Sequence, residues 1–395
     1  MKEGDFMQGH FYKRGSTWTY QIDVGNNPAT GKRQQKKKGG FKTKKEAQAA
    51  VAELQKDLND GTYFEERDVL FRIFAIEWLN GYRETVKEST VRIREHEISK
   101  LNTYFKELKL NNISKRTYQN ALLDMKKNGY SESTISGVHG TARMIFKKAV
   151  EFDMLKIDPT QYAKIPKTQL TVEEIENKDA IPKYMEKKEL ALFLKTTQEK
   201  GLPGDYEMFL TLAYSGMRIG ELCALKSTDI STEENTISIT KTYYNPNNSV
   251  KKYILLPPKT KSSIRTIEVD NMVMKSLEKL ISKGKEIKMK HRQTYHDKNF
   301  IFTSDRYYGY PIYLKFIGIR MARILKLAGL NEELTPHSLR HTHTALLAEA
   351  GANLEAIMER LGHSDDDVTK RVYLHITKTV KKETSQKFAE LMKSL

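Results

Sequence analysis

Cysteine is nearly absent from this chain: Cys223 is the only one in 395 residues, which excludes an internal disulfide and a thiolate-rich metal site. Long apolar runs are missing too. No stretch approaches the roughly 20 consecutive apolar residues that span a bilayer, and Met1–His10 lacks the apolar core of a secretory signal peptide. The chain is therefore expected inside the cell, in a reducing compartment. Internal repeats and low-complexity segments are absent, and a hydrophobic fraction of 38% beside a charged fraction of 30% describes globular domains with a heavily charged surface. Acidic residues are in short supply: 50 Asp and Glu stand against 67 Lys and Arg, a formal charge of +17. With a pI near 9.5, the expected partner is a large polyanion, because each neutralised phosphate releases condensed counterions. Nucleic acid fits best.

Single cores rarely grow past about 250 residues, so more than one domain is expected. From His10 to Gly61, strand-like runs at His10–Lys13 and Thr17–Val24 and a basic run from Lys32 precede a helix-like run, Lys44–Leu58. Eight of the fifteen residues from Gly31 to Lys45 are Lys or Arg. With Trp18 and Tyr20 before them and Lys32, Arg33, Lys36, Lys37 and Lys38 among them, they suit a small sheet laid in a DNA groove. A solvated charged hairpin is the plainer alternative. Residues 66–167 carry amphipathic helical runs at Leu70–Tyr82, Ser89–Tyr104, Lys115–Lys127 and Ser131–Leu155, with Ser89 and Ser131 as expected N-caps and Asp158-Pro159 as the terminator. A polar linker follows at 168–183. The remainder, 184–395, is mixed, with strand-like runs at Thr236–Thr240, Tyr253–Leu256 and Ile264–Val269 among helices. The expected fold is multidomain and mainly α: a small sheet with a helix, an all-helical unit, then an α+β unit.

All the chemistry-bearing clusters lie in the last unit. In Ser215-Gly216-Met217-Arg218, Gly216 can end one helix and let another begin beside Arg218, where free N–H groups and the helix dipole favour an anion. Glu221, three residues on, can steady the guanidinium, although such a pair alone is more often a surface ion pair. Thr335-Pro336 announces a helix start. His337, Arg340 and His341 then share one face, while His343 should point away. A zinc site is the rival for three histidines, yet no carboxylate or thiolate accompanies them at ligand spacing. In Leu361-Gly362-His363, the glycine ends a helix and leaves His363 on a tight connection. Tyr373 follows ten residues later.

These clusters, in this order, closely resemble the catalytic pattern of tyrosine recombinases, the phage integrase family. The resemblance extends to Lys87–Pro159, similar to the family's helical core-binding domain, with Asp158-Pro159 where the family commonly has Asn-Pro. The first 65 residues resemble arm-binding domains of integrases from phages and conjugative transposons of Gram-positive bacteria. The resemblance implies a site-specific recombinase that integrates and excises a mobile element without metal, ATP or other cofactor. Tyr373 would attack a scissile phosphate to give a 3′-phosphotyrosyl link and a free 5′-hydroxyl. Arg218 and Arg340 would grip the phosphate, His337 would take the tyrosine proton, His363 would add a hydrogen bond, and Glu221 and His341 would support them. A loop lysine completes the family's site. Lys259 is the choice within Pro257–Arg265, with Lys261 an alternative.

Phe388, Leu391, Met392 and Leu395 form a C-terminal apolar stripe, which the resemblance implies docks on the next protomer of a tetramer exchanging strands through a Holliday junction. Docking on its own domain is the alternative. The implied partners are double-stranded DNA at core-type and arm-type sites and an excisionase or host DNA-bending protein. The implied setting is the bacterial cytoplasm at the nucleoid, with no membrane. A non-enzymatic repressor would explain the charge but has no need of the ordered Arg, His-x-x-Arg, Gly-His and Tyr set. A type IB topoisomerase would need no separate basic N-terminal domain.

Overall fold

In a computed structural model, the structure describes residues 9–26, 33–59, 68–167, 183–245, 247, 249–258, 260–363, 366–377 and 392. Lys32, Lys259, linker residues 168–182 and the C-terminal stripe other than Met392 lie outside the described residues. The chain divides into two compact units, Met1–Gln169 and Leu170–Leu395.

The first unit holds two separate cores. Strands β1 (His10–Arg14), β2 (Thr17–Asn26) and β3 (Arg33–Phe41) form an antiparallel meander, followed by helix α1 (Lys44–Asn59). The two-residue turn between β1 and β2 uses Gly15 at φ +61°, a conformation that costs other residues about 1 kcal/mol or more. Trp18 pairs with Phe41 but Tyr20 pairs with Lys38, so β3 carries one extra residue, a bulge with Gly40 at φ +94°. One sheet face packs on α1: Tyr20, Ile22, Val51 and Leu54 are its buried core.

The second core is all-helical: α2 (Phe71–Arg83), α3 (Glu88–Phe105), α4 (Lys115–Lys127) and α5 (Glu132–Glu151). Their apolar stripes close on Phe71, Phe105, Tyr118, Leu122 and Phe146. Ser114 and Ser131 cap α4 and α5, accepting from the backbone N–H of Thr117 and Thr134 at 3.1 and 3.2 Å. Ser89 is not a cap: α3 begins one residue earlier, with Glu88 in its first turn, where the helix dipole favours an acid. After α5, Asp158 Oδ1 accepts from the backbone N–H and hydroxyl of Thr160 at 2.8 and 2.6 Å, fixing the Asp-Pro turn.

The second unit is α+β. Helices α6 (Lys187–Lys200), α7 (Asp205–Ser215) and α8 (Ile219–Ala224) lead into strands β4 (Ile230–Ser231), β5 (Thr236–Ile239), β6 (Thr242–Tyr244), β7 (Ile254–Leu256) and β8 (Arg265–Glu268). β4, β5 and β8 form one antiparallel sheet in that order, and β6 and β7 form a hairpin. Helices α9 (Asn271–Lys290), α10 (Leu314–Ala328), α11 (Pro336–Glu349) and α12 (Leu354–Leu361) follow, then helical residues 367–377. Phe193, Phe209, Leu222, Ile237, Ile317 and Leu339 are among the core residues. Cys223 lies there too, fully buried, and burial pushes its thiol pKa up, away from reactivity. Among the described residues no helix is long and apolar enough to cross a membrane.

Candidate active site

The site is organised around a glycine. Gly216 ends α7 at φ +62°, and a Cβ there would lie 2.6 Å from His343 Cδ2 and 2.8 Å from Leu361 Cδ2. Backbone conformation and space both demand glycine. Its carbonyl accepts from Arg340 Nη1 at 2.6 Å, and two residues later Arg218 occupies the N-cap of α8. One turn thus places one arginine and holds the other.

Glu221 fixes Arg218 from below. Its Oε2 accepts from the Arg218 backbone N–H at 2.9 Å and its Oε1 from Arg218 Nη1 at 3.0 Å. The Glu221 side chain is 3% exposed, whereas that of Arg218 is 37% exposed. Burial alone would push the Glu221 carboxyl up. Hydrogen bonds and charge from Arg265 and from Arg218 outweigh it and hold the pKa below the ordinary carboxylate value.

Arg340 is 2% exposed, on an α11 whose start is set by Thr335 as N-cap and Pro336 in the first turn. Besides Gly216, its Nη2 donates to the Leu361 carbonyl and to His363 Nε2, both at 2.6 Å. Burial, then the charge of Arg218, lowers its pKa to about 9, so it is cationic at neutral pH. Its Nε is buried without a partner among the described residues. An orphaned cationic N–H is costly to bury and is suited to an anionic oxygen delivered by a ligand.

Because guanidinium only donates, His363 Nε2 must accept, which leaves the ring proton on Nδ1. Nδ1 faces Thr369 Oγ1 at 3.0 Å and Asp366 Oδ2 at 3.1 Å. Burial and the charge of Arg340 push the His363 pKa down to about 4. Tyr373 lies one helical turn beyond Thr369, on the same helix face. It is half-buried and packs against the cluster of Ala348, Ile357 and Leu361. His337 is exposed, yet partial burial and the charges of Arg340 and Arg218 hold its pKa below the ordinary imidazole value. His341 is half-buried with its ring 4.8 Å from that of His337. Burial, His337 and Arg340 push its pKa down to about 4.

Several functional contacts escape a reading of the sequence. His343, expected off the His337 face, is buried under Gly216: its Nδ1 lies 2.9 Å from the Ala213 carbonyl and its Nε2 accepts from Arg360 Nε at 3.1 Å. Arg265 and Thr369 carry no sequence signal of their own either, whereas Asp366 belongs to an acidic run, Asp365–Asp367, of the kind that favours a helix start, and its Oδ2 accepts from the Thr369 backbone N–H at 3.0 Å. Arg265 stands 44 residues from its carboxylate partner Glu221, a pairing that no local spacing announces.

The expected arm-domain contacts are not all on one surface. Tyr20 is 3% exposed and stacked on Phe41 in the core, so its ring faces α1 and is unavailable to DNA. Trp18 is half-buried with the Lys44 ammonium 5.8 Å from its ring centroid. Arg33 is ion-paired with Asp23. Lys37 and Lys38 are exposed and Lys36 half-buried. Lys37 lies over the Tyr12 ring at 5.1 Å. Among the described residues no group of three or more His, Cys, Asp and Glu side chains is placed to hold a metal ion.

Residues 183–379 match the phage integrase family, residues 10–58 an arm DNA-binding domain and residues 70–126 the N-terminal SAM-like domain of phage integrases. The integrase of Staphylococcus phage L54a is 28% identical over 359 residues, covering 86% of this chain and 98% of its own. The fold is similar to that of the Tn1549 transposon integrase in complex with transposon right end DNA, with a TM-score of 0.62 and 21% identity, over 80% of this chain and all of that one. A lambda integrase tetramer bound to a Holliday junction matches with a TM-score of 0.54 and 15% identity, over 90% of this chain and 96% of that one.

Proposed function

The chain belongs to the phage integrase family of tyrosine recombinases, DNA breaking and rejoining enzymes, and we propose that Tyr373 is its nucleophile and the Arg218–Arg340 pair its phosphate clamp. One observation carries this assignment. Two arginines meet at the Gly216 turn, Arg340 bound to its carbonyl and Arg218 two residues on at the next helix's N-cap, and Arg340 keeps a buried N–H without a partner among the described residues.

In the proposed reaction the Tyr373 oxygen forms a bond to phosphorus while the bond from phosphorus to the 5′-oxygen breaks. The products are a 3′-phosphotyrosyl link and a 5′-hydroxyl, and reversal on a new 5′-hydroxyl rejoins the strand. Arginine suits the clamp because it stays charged and presents a planar fork to two phosphate oxygens. His337, with its lowered pKa, is neutral at physiological pH and can accept the Tyr373 proton. Lys259 serves as proton donor to the leaving 5′-oxygen, with Lys261 the alternative. His363 steers Arg340 through Nε2, and donates to the phosphate only when a bound anion draws a second proton onto its ring. His341 buttresses His337. That Tyr373 packs against helices of its own chain supports cleavage in cis.

We infer that this integrase acts as a tetramer on core-type sites, joined by the C-terminal segment docking between protomers. Residues up to about 65 bridge to arm-type sites, and an excisionase or host DNA-bending protein sets direction. Setting and substrate follow: a mobile element's ends in the bacterial cytoplasm, at the nucleoid. A core site nicked beside the scissile phosphate tests the chemistry. The parent chain should become covalently attached and Tyr373→Phe should not; an adduct that persists in Tyr373→Phe refutes the assignment. Deletion to residue 65 should spare core cleavage and abolish integration.

A further inference from the structure

Arg265 opens β8, and its side chain is only 6% exposed. Its donors point to three separate parts of the site. Nη2 donates to Glu221 Oε2 at 2.9 Å and Nη1 reaches Oε1 at 3.3 Å. Nε donates to the Arg360 carbonyl at 2.7 Å, one residue before the Leu361 carbonyl that holds Arg340. Nη1 also donates to the Ser263 carbonyl at 3.1 Å, and the Ser263 hydroxyl donates to the Gly362 carbonyl at 3.2 Å. The turn before His363 is pressed onto the same place: a Cβ on Gly362 would meet Ser263 Cα at 2.9 Å and Arg265 Cδ at 3.1 Å.

Glu221 is therefore a buried carboxylate divided between two guanidiniums. Arg265 engages both of its oxygens, while Arg218 meets it through one side-chain N–H and its own backbone. This division matters for chemistry. A carboxylate that orients Arg218 also competes with DNA for its charge. Were Arg265 absent, the whole negative charge would fall on Arg218 in a poorly screened setting.

We propose that Arg265 is a positioning residue for strand cleavage: by sharing Glu221 it keeps Arg218 oriented yet available to the scissile phosphate, and it locks the Arg360–His363 turn in register with it. The inference rests on the assignment of Arg218 and Tyr373 above.

The test compares the parent chain, Arg265→Lys and Arg265→Met in single-turnover cleavage of a nicked core site. Each is run with the natural scissile phosphate and with a methylphosphonate, which carries no charge on its non-bridging oxygen. On phosphate the variants should be slower by about 100-fold, the loss expected when one oriented charge is displaced from the transition state. Core-site affinity should stay within about threefold, because a buried residue does not neutralise the DNA backbone. On methylphosphonate the deficit should shrink to about fivefold or less, since less charge awaits Arg218. Equal slowing on both substrates, or phosphate cleavage within about threefold of the parent, overturns the proposal. If Arg265→Met fails to fold, Arg265→Met/Glu221→Gln removes the stranded carboxylate; measured against Glu221→Gln alone, its deficit on phosphate should be no larger than on methylphosphonate, and a deficit still confined to phosphate overturns the proposal. A parent chain that forms no adduct would instead refute the assignment of the site itself.

Discussion

The arm sheet and the catalytic pocket are both cationic, yet they hold their charge in opposite ways. Lys37 and Lys38 sit on an exposed strand, and Lys37 and Lys44 lie over aromatic rings. Arg340 is buried, with Nη1 and Nη2 assigned to named acceptors and Nε left over. Exposed lysines attract any phosphate, at a strength that salt erodes. A buried, pre-aimed guanidinium attracts little at a distance but stabilises charge at one point, without reorganisation. On the proposed assignment, the overall charge of +17 divides between two separable tasks, affinity and chemistry.

Substitutions should separate them, the largest effect first. Arg340→Lys loses the fork that spans Gly216, Leu361 and His363, and cleavage should fall by about 1,000-fold while core-site binding barely changes. A parallel collapse of binding would merge the two functions again. His337→Gln should slow cleavage by about 100-fold. It should also change the pH profile. In the proposed mechanism the neutral imidazole is the base, and desolvation with the charges of Arg340 and Arg218 lowers its pKa, so the parent rate should rise with pH only in the acid range and be flat at neutrality. The variant should lack that acid limb; an unchanged limb removes His337 from the proton's path.

The glycines sharpen the same contrast through stability. Gly216→Ala meets a positive φ and side chains of His343 and Leu361 inside 3 Å, and should cost roughly 2–4 kcal/mol in urea unfolding of the catalytic unit. Gly40→Ala has a positive φ but open space, and should cost only about 1 kcal/mol in the arm sheet. Equal costs would mean that the Gly216 turn relaxes freely and does not hold the clamp. Replacing Lys36, Lys37 and Lys38 together by Gln should leave cleavage of an isolated core site unchanged. Arm-site binding should weaken, and its salt slope should fall by about one for each phosphate that is no longer neutralised; an unaltered slope takes these lysines off the DNA.

What could be read along the chain was what local rules control. Gly216 and Gly362 as helix terminators, Thr335-Pro336 as a helix start and Ser131 as a cap follow from backbone chemistry within a few residues. Residues that touch across the fold could not be read. Arg265 and Glu221 meet only because β8 lies beside α8's first turn, and His343 matters only because Gly216 leaves room for its ring. Tyr20 misled for a related reason. Amid lysines it suggests a DNA-facing ring, but a three-stranded sheet with one helix must bury one face, and α1 covers the face that carries Tyr20 and Ile22.

A crystal structure of the chain on core DNA, with orthovanadate bridging the cleaved ends, tests the proposed geometry around the phosphate most directly. Vanadium should be bonded to the Tyr373 oxygen, with Arg340 Nε and Arg218 both donating to its equatorial oxygens. A vanadate centre bonded to another residue, or one that leaves Arg340 Nε still without a partner, contradicts it.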